Sequence, residues 1–117
     1  MSKFDCVTRP WGKYEVLLDG DDCKVKMISV NPKQKPSYQY HHKRNEHWII
    51  ISGTGQVKEN DEIMSASPGE AFYIPAMSKH TIMNTSEEDQ LIFIEVQTGD
   101  YFGEDDIVRL EDDYGRV

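Results

Sequence analysis

The sequence has little of what marks secreted, membrane-spanning or nucleic-acid-binding proteins. Its 117 residues include only two cysteines, Cys6 and Cys23, and no apolar run near the roughly 20 residues that span a bilayer. The opening residues contain no apolar segment of the kind found in signal peptides. We therefore expect a cytoplasmic protein with no membrane partner, whose cysteines are unpaired, buried thiols.

Acidic residues outnumber basic ones by 21 to 13, so the formal net charge is −8. This charge predicts no nucleic-acid partner. The acids are unevenly placed. Between Lys24 and Arg44 six basic residues occur without a single Asp or Glu. We expect Lys24 and Lys26 to lie on solvated strand faces. Lys33, Lys43 and Arg44 are equally compatible with a solvated face and with binding a small anion.

Helical periodicity is rare, whereas short alternating runs occur throughout the chain. Strands are predicted at 13–18, 23–30, 37–42, 47–52, 55–59, 62–66, 70–75, 80–84 and 90–97. Polar turns separate them, which predicts one all-β domain over residues 1–117, a sandwich or barrel. After Gly99 the alternation fades, and we expect a short C-terminal helical turn with acids near its start.

Histidines and a glutamate cluster where a polar strand precedes an apolar one. Alternation places Gln39 and His41 on one face of a strand, with His42 on the other. A bend after this strand lets Glu46 lean back toward the same face, and His80 opens a strand that can supply a fourth ligand. This set predicts one divalent metal ion, with zinc as first choice and manganese, cobalt, nickel or iron also compatible.

Two spaced motifs resemble those of the cupins. The first comprises Gln39, His41, Glu46 and Gly53, and the second comprises Gly69, Pro75, His80 and Asn84. Met77 departs from the second motif, which usually has glycine there. The resemblance implies a double-stranded β-helix, a jelly-roll barrel with a metal ion in its mouth.

Three longer stretches, 9–20, 39–57 and 94–116, resemble the type II phosphomannose isomerase domain. That domain is the C-terminal cupin of bifunctional mannose-6-phosphate isomerase/mannose-1-phosphate guanylyltransferases. The resemblance implies metal ligation by Gln39, His41, Glu46 and His80. It also implies catalytic roles for Arg44 and Arg109. The guanylyltransferase half has no counterpart, so no such activity is expected.

The chain departs from this family at three positions. Lys43 replaces a histidine, Lys33 replaces a glycine, and Thr81 stands where an arginine usually follows the second-motif histidine. If that arginine binds the phosphate of the substrate, another cation must replace it. We expect Lys33 or Lys43 to bind the phosphate and Tyr38 to contact the sugar.

The implied function is a metal-dependent aldose–ketose isomerase that interconverts mannose 6-phosphate and fructose 6-phosphate and feeds nucleotide-sugar and polysaccharide synthesis. The general base is open among His42, His47 and Glu95. One alternative is a non-catalytic metal-binding cupin that senses or binds a sugar or sugar phosphate, and another is a metal-dependent oxygenase. A homodimer is expected because jelly-roll sheets leave edge strands to be covered, with the segment 9–18 against the partner.

Overall fold

The computed structural model describes residues 5–116 as strands and turns, without a helix in that range. The strands are β1 (Asp5–Arg9), β2 (Gly12–Asp19), β3 (Cys23–Val30), β4 (Tyr38–Tyr40), β5 (Arg44–Ser52), β6 (Gly55–Glu59), β7 (Glu62–Ala66), β8 (Ala71–Ile74), β9 (His80–Asn84), β10 (Leu91–Gly99) and β11 (Val108–Glu111). Nothing in the described chain forms a long apolar helix of the kind that crosses membranes.

Two antiparallel sheets build the fold. The six-stranded sheet has the order β1-β2-β3-β10-β5-β8, and the five-stranded sheet has the order β11-β4-β9-β6-β7. Apolar side chains from the inner faces of both sheets pack into one core. Its most deeply buried members are Val30, Ile50, Val57, Ala66, Ile74, Ile82, Leu91 and Phe93.

The central strands change character along their buried faces. In β10 the buried positions are Leu91, Phe93, Glu95 and Gln97, and in β5 they are Arg44, Glu46, Trp48 and Ile50. Because side chains alternate across a strand, each set lies on one face. The antiparallel register places Phe93 opposite Ile50 and Gln97 opposite Glu46. The interior therefore has an apolar end and a polar end.

The all-β, two-sheet architecture predicted from the alternation is confirmed, and all nine predicted strands are present. Two further strands, β1 and β11, were not predicted. The expected C-terminal helical turn is wrong, because its central part is β11. That strand pairs Val108 with Tyr40 and Arg109 with Gln39. Pairing with β4 gives this segment backbone partners that a single helical turn would leave unsatisfied.

Two expectations about single residues also change. Lys26 is not solvated: only 2% of its surface is exposed, and its ammonium lies 2.8 Å from Glu104. Both cysteines are unpaired, as expected. Neither is fully buried, however: Cys6 is exposed on the outward side of the edge strand β1, and Cys23 is half-buried.

Candidate metal centre

A cluster of two imidazoles and one carboxylate lies at the polar end of the interior. His41 directly follows β4, Glu46 lies in β5 and His80 opens β9. Glu46 Oε2 lies 3.1 Å from His41 Nε2, and Glu46 Oε1 lies 3.8 Å from His80 Nε2. All three side chains are buried, and one ligand atom from each lies within 4.8 Å of the others.

The orientation of both imidazoles suits metal ligation. His80 Nδ1 lies 2.9 Å from the carbonyl oxygen of Ser78, and His41 Nδ1 contacts the carbonyl oxygen of Asp106. A carbonyl oxygen only accepts hydrogen bonds, so Nδ1 of each ring donates. In the neutral rings Nε2 is then unprotonated, which is the arrangement by which backbone carbonyls orient metal-binding histidines.

The donor set fits a divalent ion. Nitrogen and oxygen ligands bound at about 2.0–2.2 Å lie roughly 3–4 Å from one another, close to the separations seen here. Gln39 is a candidate fourth ligand, because it lies opposite His80 in the pairing of β4 with β9 and lines the same pocket. Its Nε2 donates to the carbonyl oxygen of Ser37 at 3.3 Å, which leaves Oε1 as the ligand atom.

Arg44 contacts two of the candidate ligands. Its Nε donates to Glu46 Oε2 at 2.9 Å, and its Nη2 donates to His41 Nε2 at 3.1 Å. Burial opposes ionisation of Glu46, but His80, His41 and Arg44 outweigh it and hold the pKa of Glu46 well below its ordinary value. Glu46 is therefore a carboxylate at neutral pH, the form that binds cations.

A second buried carboxyl, Glu95, lies beside this cluster. Burial and the negative charge of Glu46 raise the pKa of Glu95 to about 8. Gln97 donates to Glu95 Oε2 at 2.7 Å, and Trp48 Nε1 lies 2.9 Å from Glu46 Oε1 and 3.2 Å from Glu95 Oε1. At neutral pH Glu46 is thus ionised and Glu95 protonated.

Of the three candidate bases, only Glu95 lines the pocket. His42 is exposed and its ring lies 5.4 Å from that of Tyr40. His47 is exposed on the outer face of β5, with its ring 4.5 Å from that of Tyr73. Strand alternation explains the difference, because His47 lies between the inward residues Glu46 and Trp48.

The pocket has a volume of about 90 Å³ and a surplus of positive groups. Among described residues, its charged lining consists of Arg9, Lys26, Arg44, Arg109 and Arg116 with Glu46, Glu95 and Glu104. Lys26 is paired with Glu104, and Arg116 lies 2.7 Å from Asp112. Arg109 differs, because its buried Nε has no hydrogen-bond partner within residues 5–116.

Three residues expected at the substrate site do not line this pocket. Lys33 lies in an exposed turn, and the Tyr38 hydroxyl donates to Asp61 at 2.9 Å away from the pocket. Lys43 is exposed, 5.2 Å from the ring centre of Tyr101. The irregular backbone at 41–43 shifts the phase of alternation, so that Arg44 rather than Lys43 faces inward with His41.

Lys26 is one of the charged pocket residues that the sequence interpretation missed, with Arg9, Glu104 and Arg116. It shares the inward face of β3 with Ile28 and Val30, and this period of two was the signal that could have identified it. Thr81 is the other informative position. It lines the pocket, but its hydroxyl donates to the carbonyl oxygen of Pro36 at 2.9 Å and so supplies no positive charge in place of the expected arginine.

Comparison with known families and curated proteins gives a consistent result. Residues 1–112 match the family described as "Mannose-6-phosphate isomerase C-terminal". The chain is 46% identical over 111 residues to the xanthan biosynthesis protein XanB of Xanthomonas campestris. It is 44% identical to the mannose-1-phosphate guanylyltransferase ManC of Salmonella typhimurium and 47% identical to the alginate biosynthesis protein AlgA of Pseudomonas aeruginosa. Each match covers 95% of this chain.

Solved structures with the same architecture are more distant in sequence. A cupin-2 domain protein from Rhodospirillum rubrum matches with a TM-score of 0.73 and 18% identity, over 88% of this chain and 78% of that one. The capsular polysaccharide assembling protein CapF of Staphylococcus aureus matches with a TM-score of 0.76 and 21% identity, over 95% of this chain and 32% of that one. These similarities concern the fold, and they confirm the predicted cupin double-stranded β-helix.

The same comparisons correct the predicted function. The chain spans only 24%, 23% and 23% of the three curated relatives, whose names describe whole proteins. None of these names assigns the interconversion of mannose 6-phosphate and fructose 6-phosphate to the matched quarter. The prediction of that specific isomerase, with a sugar-sensing cupin as its alternative, is therefore withdrawn.

Proposed function

Because this chain belongs to the mannose-6-phosphate isomerase C-terminal family, we propose that it is a divalent-metal-dependent domain with isomerase-like activity on a small anionic carbohydrate. The observation that carries the proposal is the convergence of His41, Glu46 and His80 on ligand atoms within 4.8 Å. Gln39 completes the set through its amide oxygen. Zinc is the first choice for this mixture of nitrogen and oxygen donors, with manganese, cobalt, nickel and iron also accepted.

The chemistry proposed is proton transfer at a carbon atom next to a carbonyl group. A divalent ion bound here would stabilise negative charge on a ligand oxygen. Glu95 is the residue placed to move the proton, because its carboxyl faces the same pocket as the metal ligands. Gln97 and Trp48 hold that carboxyl in place through hydrogen bonds to both oxygens.

The anionic group of the ligand is assigned to Arg109. Its Nε is buried without a partner in the described chain. Lys26, Arg44 and Arg116 are each paired with carboxylates, and Arg9 donates to the carbonyl oxygen of Thr8 at 3.3 Å. A guanidinium binds phosphate or carboxylate through parallel N–H donors, so a sugar phosphate suits this position. The role proposed for Arg44 is to hold Glu46 and His41, since it contacts both.

Other expectations stay predictions. We expect no guanylyltransferase activity, no nucleic-acid or membrane partner and a cytoplasmic location. We also still propose that residues 1–117 act as one domain. Each of these rests on the sequence.

Metal content and proton exchange test the two parts of the proposal separately. Mass spectrometry of the purified chain should find about one divalent ion per molecule, retained in His47→Ala and lost in His80→Ala. His47→Ala is the matched control, because it removes an imidazole outside the pocket. An unchanged metal content in His80→Ala would contradict the metal centre.

Proton transfer should appear as uptake of deuterium from solvent at carbon in a panel of phosphorylated aldoses and ketoses, followed by NMR. Glu95→Gln should abolish uptake while metal remains bound, and Arg109→Met should raise KM more than it lowers kcat. Metal binding without deuterium uptake from any member of the panel would contradict the isomerase-like activity.

A further inference from the structure

One carboxylate oxygen in the pocket lies between two buried cations. Glu104 Oε2 is 2.8 Å from the ammonium of Lys26 and 3.4 Å from Nη1 of Arg44. The side chains of Lys26 and Arg44 are 3% and 7% exposed, whereas that of Glu104 is 46% exposed. Glu104 is therefore the member of this group that reaches solvent.

Lys26 needs an anion at this position. A buried ammonium loses its hydration, and a negative partner offsets that cost. Among the described residues, Glu104 is the only carboxylate in salt-bridge contact with Lys26. The ammonium also lies 4.2 Å from the ring centre of Tyr14. Arg44 differs, because its Nε donates to Glu46 as well. An ammonium is a point charge with rotatable donors, so a phosphate would serve Lys26 as well as a carboxylate does.

The backbone that carries Glu104 is held at both ends but not at Glu104 itself. Residues 100–107 connect β10 to β11 without strand structure. At one end the N–H of Asp100 donates to the carbonyl oxygen of Lys43 at 3.2 Å, and at the other the carboxylate of Asp106 accepts from the N–H of Lys43 at 2.9 Å. The backbone of Glu104 makes no hydrogen bond to another residue of the described chain. Rotation of its side chain therefore releases the two cations and leaves both anchors in place.

The pocket has to open before it accepts a carbohydrate. Its volume of about 90 Å³ is well below the roughly 300–1,000 Å³ of typical small-molecule sites. Lys26 and Arg44 line it from β3 and β5 of the six-stranded sheet, whereas Glu104 lines it from a connecting segment. Withdrawal of Glu104 both enlarges the pocket and uncovers positive charge.

We propose that Glu104 is a built-in competitor of the ligand, whose phosphate takes the place of the Glu104 carboxylate between Lys26 and Arg44. Only the identity of the ligand as a sugar phosphate rests on the proposed function. A phosphate monoester carries a charge of about −1.5 to −2, against −1 for the carboxylate that it displaces. It can therefore compensate Arg109, which lines the same pocket, as well as Lys26. This arrangement supplies cations for the phosphate without the arginine that Thr81 replaces.

Calorimetric titration of inorganic phosphate into the purified, metal-loaded chain tests the exchange. Glu104→Gln should lower the phosphate dissociation constant about 10-fold, because phosphate no longer has to displace a charged hydrogen-bond partner. Asp100→Asn is the matched control: Asp100 is an exposed carboxylate of the same segment outside the pocket, and its replacement should change the constant by less than about twofold. A Glu104→Gln variant that binds phosphate no more tightly than the unmodified chain would contradict the proposal.

A double variant locates the bound phosphate. Lys26→Met in the Glu104→Gln background should cancel the gain in affinity, because the ammonium is then missing. A gain that survives would assign the phosphate to the metal ion or to Arg109 alone and would overturn the proposal. Circular dichroism establishes whether each variant is folded. Neither titration depends on deuterium uptake, so the exchange and the isomerase-like activity stand or fall separately.

A cross-linking measurement on the unmodified chain decides the case if a variant does not fold. A carbodiimide takes up water as it joins a carboxylate and a neighbouring ammonium in an amide bond. Without phosphate, mass spectrometry should find a cross-link between Lys26 and Glu104, and phosphate at a saturating concentration should abolish it. The exposed pair Lys79 and Asp61, 3.8 Å apart, is the internal control, because its cross-link should be unaffected. Absence of the Lys26–Glu104 cross-link without phosphate, or its persistence with phosphate, would contradict the proposal.

Discussion

The two ends of the interior are built from the same strands but hold opposite chemistry. In β10 the buried residue Phe93 packs against Trp48, with ring centres 5.1 Å apart, whereas Glu95 two positions along faces the carboxylate of Glu46. In β3 the sequence changes in the same way from Val30 to Lys26. The apolar end gains stability from burial, while buried charges cost desolvation free energy. Burial at the apolar end therefore supplies the stability that keeps the buried charges of the polar end in place.

The largest effect should come from a cavity at the apolar end. Phe93→Ala removes a 2% exposed aromatic ring and should lower the free energy of unfolding by about 3–5 kcal/mol, measured by urea denaturation. Metal content per folded molecule should stay unchanged, because Phe93 supplies no ligand. Thr98→Ala, on the outward side of the same strand, is the control and should change the free energy of unfolding by no more than about 0.5 kcal/mol. A loss of metal from folded Phe93→Ala would show that the two ends are not separable.

The next effect should come from the polar end and should fall on metal binding. Glu46→Gln removes the one carboxylate of the proposed ligand set, so the metal dissociation constant should rise by more than the roughly 100-fold expected for an outer-shell partner. Calorimetric titration measures this change. Glu15→Gln, which replaces a partly buried carboxylate on β2 outside the pocket, serves as the control and should bind metal normally. Equal affinities for the two variants would contradict the assignment of Glu46.

A smaller effect is expected from backbone strain near the polar end. Met77 has a φ of 72° and its N–H donates to the carbonyl oxygen of His41 at 2.7 Å. A left-handed conformation costs a non-glycine residue about 1–2 kcal/mol. Glycine avoids this cost, but it also increases the conformational entropy of the unfolded chain, which offsets part of the gain in stability. Met77→Gly should therefore raise the free energy of unfolding by up to about 1 kcal/mol in thermal melts. Met77→Ala should not stabilise the protein, and a stabilising alanine would contradict the argument from strain.

The smallest effect concerns pH. Burial opposes ionisation of Glu104, but Lys26 and Arg44 outweigh it and lower its pKa. A lowered pKa in the folded state adds stability above the unfolded value of about 4.3, and that stability is lost as pH falls through the folded value. The difference in unfolding free energy between the unmodified chain and Glu104→Gln should thus shrink below about pH 4. A difference that grows on acidification would contradict the pairing.

Much of the fold could be predicted because it depends on local alternation. Runs such as 90–97 carry a period of two that survives in β10, and the turns between strands follow the polar breaks. The strand β11 could not be predicted in this way, because its four residues have no clear alternation and are extended only through pairing with β4. The approach of Glu46 to His41 and His80 follows from the motif spacing, but the distances among their atoms depend on three separate strands.

By itself, the sequence determined which residues alternate, where strands break and which side chains are able to bind a metal ion. Only the tertiary structure decided which alternating face points inward. That choice placed Lys26 and Arg44 in the pocket and Lys43 outside it. The physical reason is that alternation defines two faces without saying which is buried. Where both faces are apolar, as in β5 and β10, only packing against the other sheet distinguishes them.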